Sequence, residues 1–267
     1  MKNLLLSLLL LFSICKTNAQ SITGILGAFP PELVLLESQM SNKKDTVISQ
    51  VRFTKGLLRG RQVVLAQTGV GKVNAAITTI LMIEHFKPRE IVFSGIAGGI
   101  DPSLEPGDLV IGTKVTYHDF GQLDDEGMHY WATKNPFTQK ENPASFQCDS
   151  ALVLKAMQVS KNLNLAKVKR ENGSFTPSVK KGIIVTGDVF VSSEKTTQRL
   201  LKDLGAAATE MEGAAIAQTC YQQNVPFLII RSLSDKANQK AKADMDQFYD
   251  IAAHNAATLV MAVIAEK

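Results

Sequence analysis

Apolar stretches alternate with amphipathic ones along most of the chain, and this alternation predicts strands that are each followed by a helix. Residues 90–94 (EIVFS) and 226–232 (PFLIIRS) are apolar over nearly their whole length rather than at every second position. The segment Lys72–Phe86 instead repeats its apolar residues every three or four positions, as a helix with one buried face does. Strands that are apolar on both faces are typical of a sheet covered by helices on both sides, so the pattern predicts an α/β fold.

The same pattern places the remaining elements and the expected ligand site. The predicted strands span residues 22–28, 51–54, 62–68, 90–94, 108–116, 182–186, 206–209 and 226–232. The predicted helices span residues 32–40, 72–86, 151–163, 194–204, 213–223 and 245–264. No internal repeat or low-complexity linker interrupts them, so residues 20–267 are predicted to form one domain. In such a sheet a ligand lies beyond the carboxyl ends of the strands.

The first nineteen residues have the pattern of a secretory signal. Lys2 precedes an apolar block, residues 4–14, that is shorter than a membrane-spanning helix. Small residues then lead to Ala19, after which cleavage is expected, so the mature chain is predicted to be exported. A lipoprotein signal at Cys15 is the weaker alternative, because Ile14 is bulkier than such processing usually accepts.

Composition excludes several classes of function. The 267-residue chain is 45% hydrophobic and 20% charged, which is ordinary for a globular protein. Its formal charge of +4 falls to +2 when Lys2 and Lys16 leave with the signal, too little for a nucleic-acid-binding surface. The four histidines show no metal-ligand spacing, so no metal and no cofactor are predicted. After cleavage Cys148 and Cys220 remain and are expected to be free thiols, with a disulfide as the alternative.

Two glycine-rich stretches resemble phosphate-binding loops without matching one. In TGVGKVNAA, Gly71 and Lys72 begin a helix whose free amides could hold an anion, but Val73 stands where a P-loop needs serine or threonine. A tight turn accounts for these glycines equally well. In SGIAGGI, which begins at Ser94, the spacing is wrong for dinucleotide binding, and both a simple turn and close approach of a ligand remain open.

Two further stretches concentrate charge in apolar surroundings. FLIIRSLSD brings Arg231 and Asp235 to the end of a core strand, where period-two alternation would place them on one face. An ion pair or a helix cap made by Asp235 is the structural alternative to a functional role. In TEMEG, Glu210 and Glu212 flank a methionine, and a first helical turn would favour both through its dipole.

Six motifs considered together are more specific than any one of them. GILGAFPPELVLL, TGVGKVNAA, FSGIAGGIDPSLEPGDLVIG, VTGDVFV, TEMEGAAIA and IIRSLSDKAN occur in this order over most of the mature chain. Together they resemble the nucleoside phosphorylase superfamily, and most closely its 5′-methylthioadenosine/S-adenosylhomocysteine nucleosidases. The resemblance implies three layers, a central mixed β-sheet flanked by helices, in a homodimer that hydrolyses the bond between adenine and ribose. It is poor over residues 119–180.

Three carboxylates carry the catalytic roles that the resemblance implies. Glu32 aligns with the group that acts on the attacking water, Glu212 with the group that holds the ribose hydroxyls, and Asp235 with the group that protonates purine N7. The chemistry needs such groups, because glycosidic cleavage builds positive charge on the sugar and a departing base must be protonated. Glu210 has no equally clear task and is expected to be structural.

The resemblance also implies a set of substrate-binding residues. Phe190 aligns with the ring that stacks on the base, Val191 with the residue whose backbone reads the base edge, and Met211 with the residue under the ribose. Arg231 and Ser234 align with residues that support the water and the catalytic aspartate. The glycine-rich stretch adds the positions Ala97 and Gly98.

The chain departs from the family in the loop Phe29-Pro30-Pro31, which replaces a more acidic loop and is expected to reshape the pocket beyond the ribose 5′ position. It departs further at two single positions that bear on the substrate. Ile96 stands where the nucleosidases usually have serine, beside the ribose and the water, and Met245 stands where an aromatic residue is common. A phosphorylase is the first alternative function, but GAFPPE and SGIAGG carry none of the arginines that such enzymes place around phosphate. A secreted nucleoside-binding protein without catalysis is the second, and the intact set of three carboxylates argues against it. Neither nucleic-acid binding nor stable membrane insertion is expected.

Overall fold

The computed structural model describes residues 21–170 and 173–266, so the expected signal segment lies outside the described residues. The central sheet contains ten strands. Nine form its path: β1 (Thr23–Gly27), β2 (Met40–Ile48), β3 (Val51–Leu58), β4 (Arg61–Gln67), β5 (Glu90–Gly99), β6 (Leu109–Tyr117), β12 (Val179–Thr186), β13 (Ala206–Glu210) and β14 (Phe227–Asp235). The tenth is β9 (Phe146–Gln147), and two separate pairs are β7 (Gly121–Asp124) with β8 (Gly127–Tyr130) and β10 (Val168–Arg170) with β11 (Gly173–Phe175).

The helices lie on both sides of this sheet. They are α1 (Pro30–Ser38), α2 (Lys72–Phe86), α3 (Ser150–Ser160), α4 (Glu194–Leu204), α5 (Gly213–Gln222) and α6 (Ala241–Ala265). Helix α6 packs against β5 and β14 and against α1 and α3, whereas α2 packs against α5. Helix α6 is long and apolar enough to cross a membrane by length and composition alone, although no membrane-spanning helix is expected from the sequence. However, 61% of its most apolar stretch is buried against the rest of the protein, as in the core helix of a globular fold.

The sheet is mixed, and part of it closes on itself. Its order is β13-β12-β6-β14-β5-β1-β4-β3-β2, with β14 parallel to β5 and antiparallel to β6. An additional antiparallel pairing joins β13 to β5 through Thr209 with Gly98 and Ala208 with Gly99. Strands β5, β14, β6, β12 and β13 therefore form a closed ring, and the end of β5 lies between the ends of β13 and β14. The mixed sheet and the helices on both of its sides confirm the predicted fold. The junction of β5, β13 and β14 positions the site described below.

The elements that the sequence analysis missed are mostly polar. Strand β2 carries seven consecutive exposed residues after Met40 and exists because it pairs with β3 at the sheet edge. The hairpin β7–β8 lies in the polar 119–180 region and is held by its own turn, where Asp124 accepts hydrogen bonds from the backbone of Glu126 and Gly127. Such segments have no buried face, so hydrophobic periodicity cannot reveal them.

The two cysteines remaining after the expected cleavage are both buried and free. Cys148 follows β9, and Cys220 lies on α5. Burial raises the pKa of the Cys148 thiol to about 12, so it stays protonated and unreactive at neutral pH.

Candidate active site

A cavity lies at the junction of β5, β13 and β14 and is bordered by the start of α1. Eight of the ten predicted site residues line it: Glu32, Ala97, Gly98, Phe190, Met211, Glu212, Ser234 and Asp235. Val191 lies in a small adjoining cavity that shares Phe190, Met211 and Asp235, and Arg231 is fully buried behind the wall. Residues from widely separated parts of the chain thus meet around one space.

Glu32 is held at the first turn of α1 by backbone amides. Pro30 and Pro31 begin the helix, where a missing N–H costs nothing. The Glu32 side chain folds back, so that Oε2 accepts from the amides of Ala28 (2.5 Å) and Phe29 (3.3 Å), while Oε1 accepts from the amide of Ile96 on β5 (2.9 Å). Burial raises the pKa of this carboxyl, and the nearby guanidinium and the three amides oppose that shift. Glu32 is therefore a fixed carboxyl with a raised proton affinity.

Arg231 lies at the centre of a buried cluster of charges. Its Nη2 atom is 2.5 Å from Glu210 Oε2 and 3.6 Å from Glu212 Oε2, and its guanidinium lies 3.8 Å from the centre of the Phe93 ring. Together with Glu32, three buried carboxylates share this one cation. Because ionised groups are costly to bury without partners, the cluster favours retention of a proton.

The glycine-rich end of β5 is an extended strand, so the simple-turn interpretation of SGIAGGI is wrong. A side chain at Gly95 would collide with both Arg231 and Glu32, and a Cβ atom at Gly98 would lie 2.9 Å from Asp235 Oδ1. Glycine at position 95 is needed because the chain's own charged side chains approach the backbone closely. Gly98 lines the cavity itself.

Glu210 and Glu212 have separate tasks although only Met211 lies between them. Glu210 accepts from the amides of Glu212 (3.1 Å) and Gly213 (2.8 Å) and from the Thr186 hydroxyl, so it caps the start of α5. Glu212 faces the cavity and accepts from the amide of Gly71 at 2.8 Å. The interaction with a helix dipole that was considered for TEMEG is thus made by Glu210. Glu212 does not cap this helix, so its carboxylate can contact a ligand in the cavity.

Burial, and to a smaller extent repulsion from Glu210, raises the pKa of Glu212 to about 8. In the unfolded chain this group ionises near its ordinary value of 4.5, so between these two values the folded state holds a proton that the unfolded state has lost. The unfolding free energy should therefore fall as the pH rises from about 5 to about 8. The raised pKa values of Glu32 and Asp235 act in the same direction.

Urea unfolding at several pH values tests this expectation. Glu212→Gln should make the decline with pH shallower, because one of the retained protons is removed. Glu84→Gln, at an exposed carboxylate on α2, is the control and should leave the slope unchanged. Parallel curves for the wild type and the Glu212 variant would contradict the assignment.

A bulge in β14 brings two consecutive polar residues into the cavity. Leu233 pairs with Ala97 and Asp235 with Gly98, so Ser234 is the extra residue. Strict alternation from Arg231, which the sequence analysis used, therefore fails beyond Leu233. Asp235 accepts from the Ser234 hydroxyl (2.8 Å) and from the Ala237 amide (2.7 Å). These two bonds lower the pKa of Asp235, but burial has the larger effect and raises it.

The rest of the cavity lining is mainly apolar, although Thr209 and Glu210 also contribute to it. Phe190 lies on the rim with 47% of its surface exposed. Ile96 packs against Ala252 on α6 and against Phe29, whose ring stacks on that of Tyr249 at 5.3 Å. Phe29 itself lines the cavity, in the loop where the sequence departs from the family next to the pocket.

The start of α2 holds carboxylates of the protein itself. Gly69 and Gly71 have φ angles of 78° and 98°, so the turn does require glycine. The amides of Gly71 and Lys72 donate to Glu212 and to Asp188, at 2.8 and 2.9 Å. Both interpretations of TGVGK thus hold in part, because the anions at this helix start are side chains rather than phosphate.

Among the described residues, one group has a geometry that could hold a metal ion. It consists of Asp124, Glu126 and His129, all exposed on the β7–β8 hairpin. None of the three lines the cavity.

Comparison with known proteins gives a consistent result. The family model described as the phosphorylase superfamily matches residues 22–265. The chain is 39% identical over 242 residues to the 5′-methylthioadenosine/S-adenosylhomocysteine nucleosidase of Halalkalibacterium halodurans, covering 90% of this chain and 96% of that protein.

Solved structures of two related hydrolases also resemble this chain over most of its length. The nucleosidase of Neisseria meningitidis in complex with methylthio-immucillin-A superposes with a TM-score of 0.79 at 35% identity, over 92% of this chain and 99% of that one. The futalosine hydrolase of Helicobacter pylori superposes with a TM-score of 0.78 at 27% identity, over 93% and 99%.

Proposed function

Because the chain belongs to the phosphorylase superfamily, and within it to the 5′-methylthioadenosine/S-adenosylhomocysteine nucleosidases, we propose that it hydrolyses the N-glycosidic bond of adenine-type nucleosides. Water is the second substrate, and the products are adenine and a ribosyl product with a free anomeric hydroxyl. The observation that carries this proposal is the convergence of Glu32, Glu212 and Asp235 on one cavity.

The geometry supports a separate task for each end of the cavity. The base would stack on Phe190, with Asp235 donating a proton to N7 as the bond to C1′ breaks. The ribose would lie on Met211 with its hydroxyls on Glu212, whose ionised form also stabilises positive charge developing on the sugar. Glu32 would take the proton of the attacking water.

A phosphorolytic reaction is less well supported by the same site. Arg231 is the buried arginine of the cluster, and its charge is already shared among three carboxylates. The amides at the start of α2 are occupied by Glu212 and Asp188. An incoming phosphate dianion would therefore find neither an unshared cation nor a free helix-start amide, whereas water needs neither.

A product assay tests the reaction. Purified protein is incubated with 5′-methylthioadenosine, S-adenosylhomocysteine, adenosine and inosine, with and without phosphate, while free base and reducing sugar are measured. Equal rates without phosphate, with reducing sugar formed, are expected. Phosphate dependence with a sugar 1-phosphate product would instead identify a phosphorylase, and binding without turnover a storage protein.

We further propose that the protein is a homodimer, as the family resemblance implies. Val70, Val73 and Ile77 form an exposed apolar strip on α2 and the loop before it, and Val70 also lines the cavity. Sedimentation should give twice the mass of the mature chain, and Val73→Glu should shift the protein towards monomer. Leu154→Glu, at another exposed apolar residue, should not. A monomeric wild type would contradict the proposal.

Export of the mature chain is a proposal that rests on residues 1–19 alone. Amino-terminal sequencing of the processed protein should start at Gln20. An uncleaved amino terminus would contradict it.

A further inference from the structure

The start of α2 connects two binding surfaces of the cavity. Its Gly71 amide donates to Glu212, the carboxylate assigned to the ribose, at 2.8 Å. The next amide, that of Lys72, donates to Asp188 at 2.9 Å. Asp188 lies two residues before Phe190, the ring assigned to the base. One helix start thus spans the ribose-binding and base-binding sides.

The side chain of Lys72 reinforces this connection. Its ammonium donates to both carboxylate oxygens of Asp119 at 2.7 Å, lies 3.6 Å from Asp188 and is 5.5 Å from the centre of the Tyr117 ring. The Asp188 amide donates to Asp119 at 2.7 Å, so the loop after β12 is tied to the end of β6 as well. The Lys72 side chain is only 22% exposed, which strengthens the interaction of its ammonium with the two carboxylates over that of a fully hydrated pair.

We propose that Lys72 is a positioning residue that sets the spacing between Phe190 and Glu212 through the network Lys72–Asp119–Asp188. Lys72 does not line the cavity and takes no part in bond breaking. Without its charge, Asp119 and Asp188 repel each other, and the loop that carries Phe190 keeps only the backbone hydrogen bond from the Lys72 amide as its link to the helix start. This inference rests on the proposed function, since it takes Phe190 and Glu212 as the surfaces that hold base and ribose.

The expected kinetic result follows from where the network acts. Removing the Lys72 ammonium leaves the Gly71 amide bonded to Glu212 and loosens chiefly the loop of Phe190. Because that ring holds the base before and during the reaction, its loosening weakens uniform binding. Lys72→Met should raise KM for the nucleoside by about 10-fold while kcat changes by less than about threefold. Lys72→Arg keeps the charge with a different shape and should recover part of that loss.

Three further measurements separate positioning from a general loss of structure. Lys87→Met, at the other end of α2, removes an exposed partner of Glu84 and should leave KM unchanged. Adenine affinity measured by calorimetry should fall with Lys72→Met and not with Lys87→Met. In a double-mutant cycle, Asp188→Asn should lower adenine affinity much less in the Lys72→Met background than in the wild type.

Each outcome bears on the proposal. Unchanged KM and adenine affinity for Lys72→Met, or a loss confined to kcat, would overturn it. Additive effects in the cycle would overturn the network. If the wild type binds adenine without hydrolysing a nucleoside, the proposed function fails, while the adenine affinities still test the positioning role. A wild type that binds no adenine would overturn both.

Discussion

Replacing Asp235 with asparagine should lower kcat for adenine release by about 10³-fold or more. The asparagine Oδ1 can still accept from the Ala237 amide, and its Nδ2 can donate to the Ser234 hydroxyl oxygen once that hydroxyl turns, so the local structure should persist. What it lacks is a transferable proton for the departing base. Steady-state kinetics with 5′-methylthioadenosine, alongside thermal unfolding, measures the effect.

A substrate whose leaving group needs no proton makes this test specific. Hydrolysis of 4-nitrophenyl riboside releases a stable phenolate, so the Asp235 variant should retain most of the wild-type rate on it. Asp246→Asn, at an exposed residue of α6 paired with Lys242, is the matched control and should behave as wild type on both substrates. Equal losses on the two substrates would contradict a role as general acid.

Replacing Glu32 with glutamine should lower kcat by about 10³-fold, because the water would lose the group that takes its proton. Both oxygens of Glu32 accept backbone hydrogen bonds, so glutamine must turn an N–H towards a donor and lose one of them. Removing a charge also leaves Arg231 with two carboxylates instead of three, which offsets part of that cost.

Adenine affinity and a second variant keep this result interpretable. Adenine should bind to the Glu32→Gln protein within a few-fold of wild type, since the base lies at the other end of the cavity. Glu32→Asp retains the charge one methylene further back and should recover part of the rate. Glu37→Gln, on the same helix and paired with Arg52 at the surface, is the control. A Glu32→Gln enzyme with more than about a tenth of wild-type kcat would remove the residue from the mechanism.

The helices were predictable from the sequence where their ends carry local signals. The predicted bounds of α2 and α4 agree with the structure, and α4 shows why: Ser193 caps its start and Gly205, with a φ of 60°, ends it. Such signals act over a few residues. The closure of β5 onto β13 has no local signal, because it depends on the twist of the whole sheet.

Motif order predicted which residues would lie close together, but it did not predict which buried groups pair with one another. Motif order indicated Glu32, Glu212 and Asp235, and the structure brings them to one cavity. The pairing of Arg231 with Glu210, and the Ser234 bulge, depend on contacts between distant strands. Hydrophobic periodicity records which face of an element is buried, and it carries no information about which buried charge meets which.

The place of β14 in the sheet has a consequence for biosynthesis. This strand follows every other described strand along the chain, yet it lies in the middle of the sheet between β6 and β5. A nascent polypeptide that ends before residue 227 therefore has a gap where its central strand belongs, and Glu210 and Glu212 have no guanidinium to pair with. The edges of β5 and β6 that pair with this strand therefore stay open until residues 227–235 have been synthesised, and unpaired strand edges are prone to aggregation.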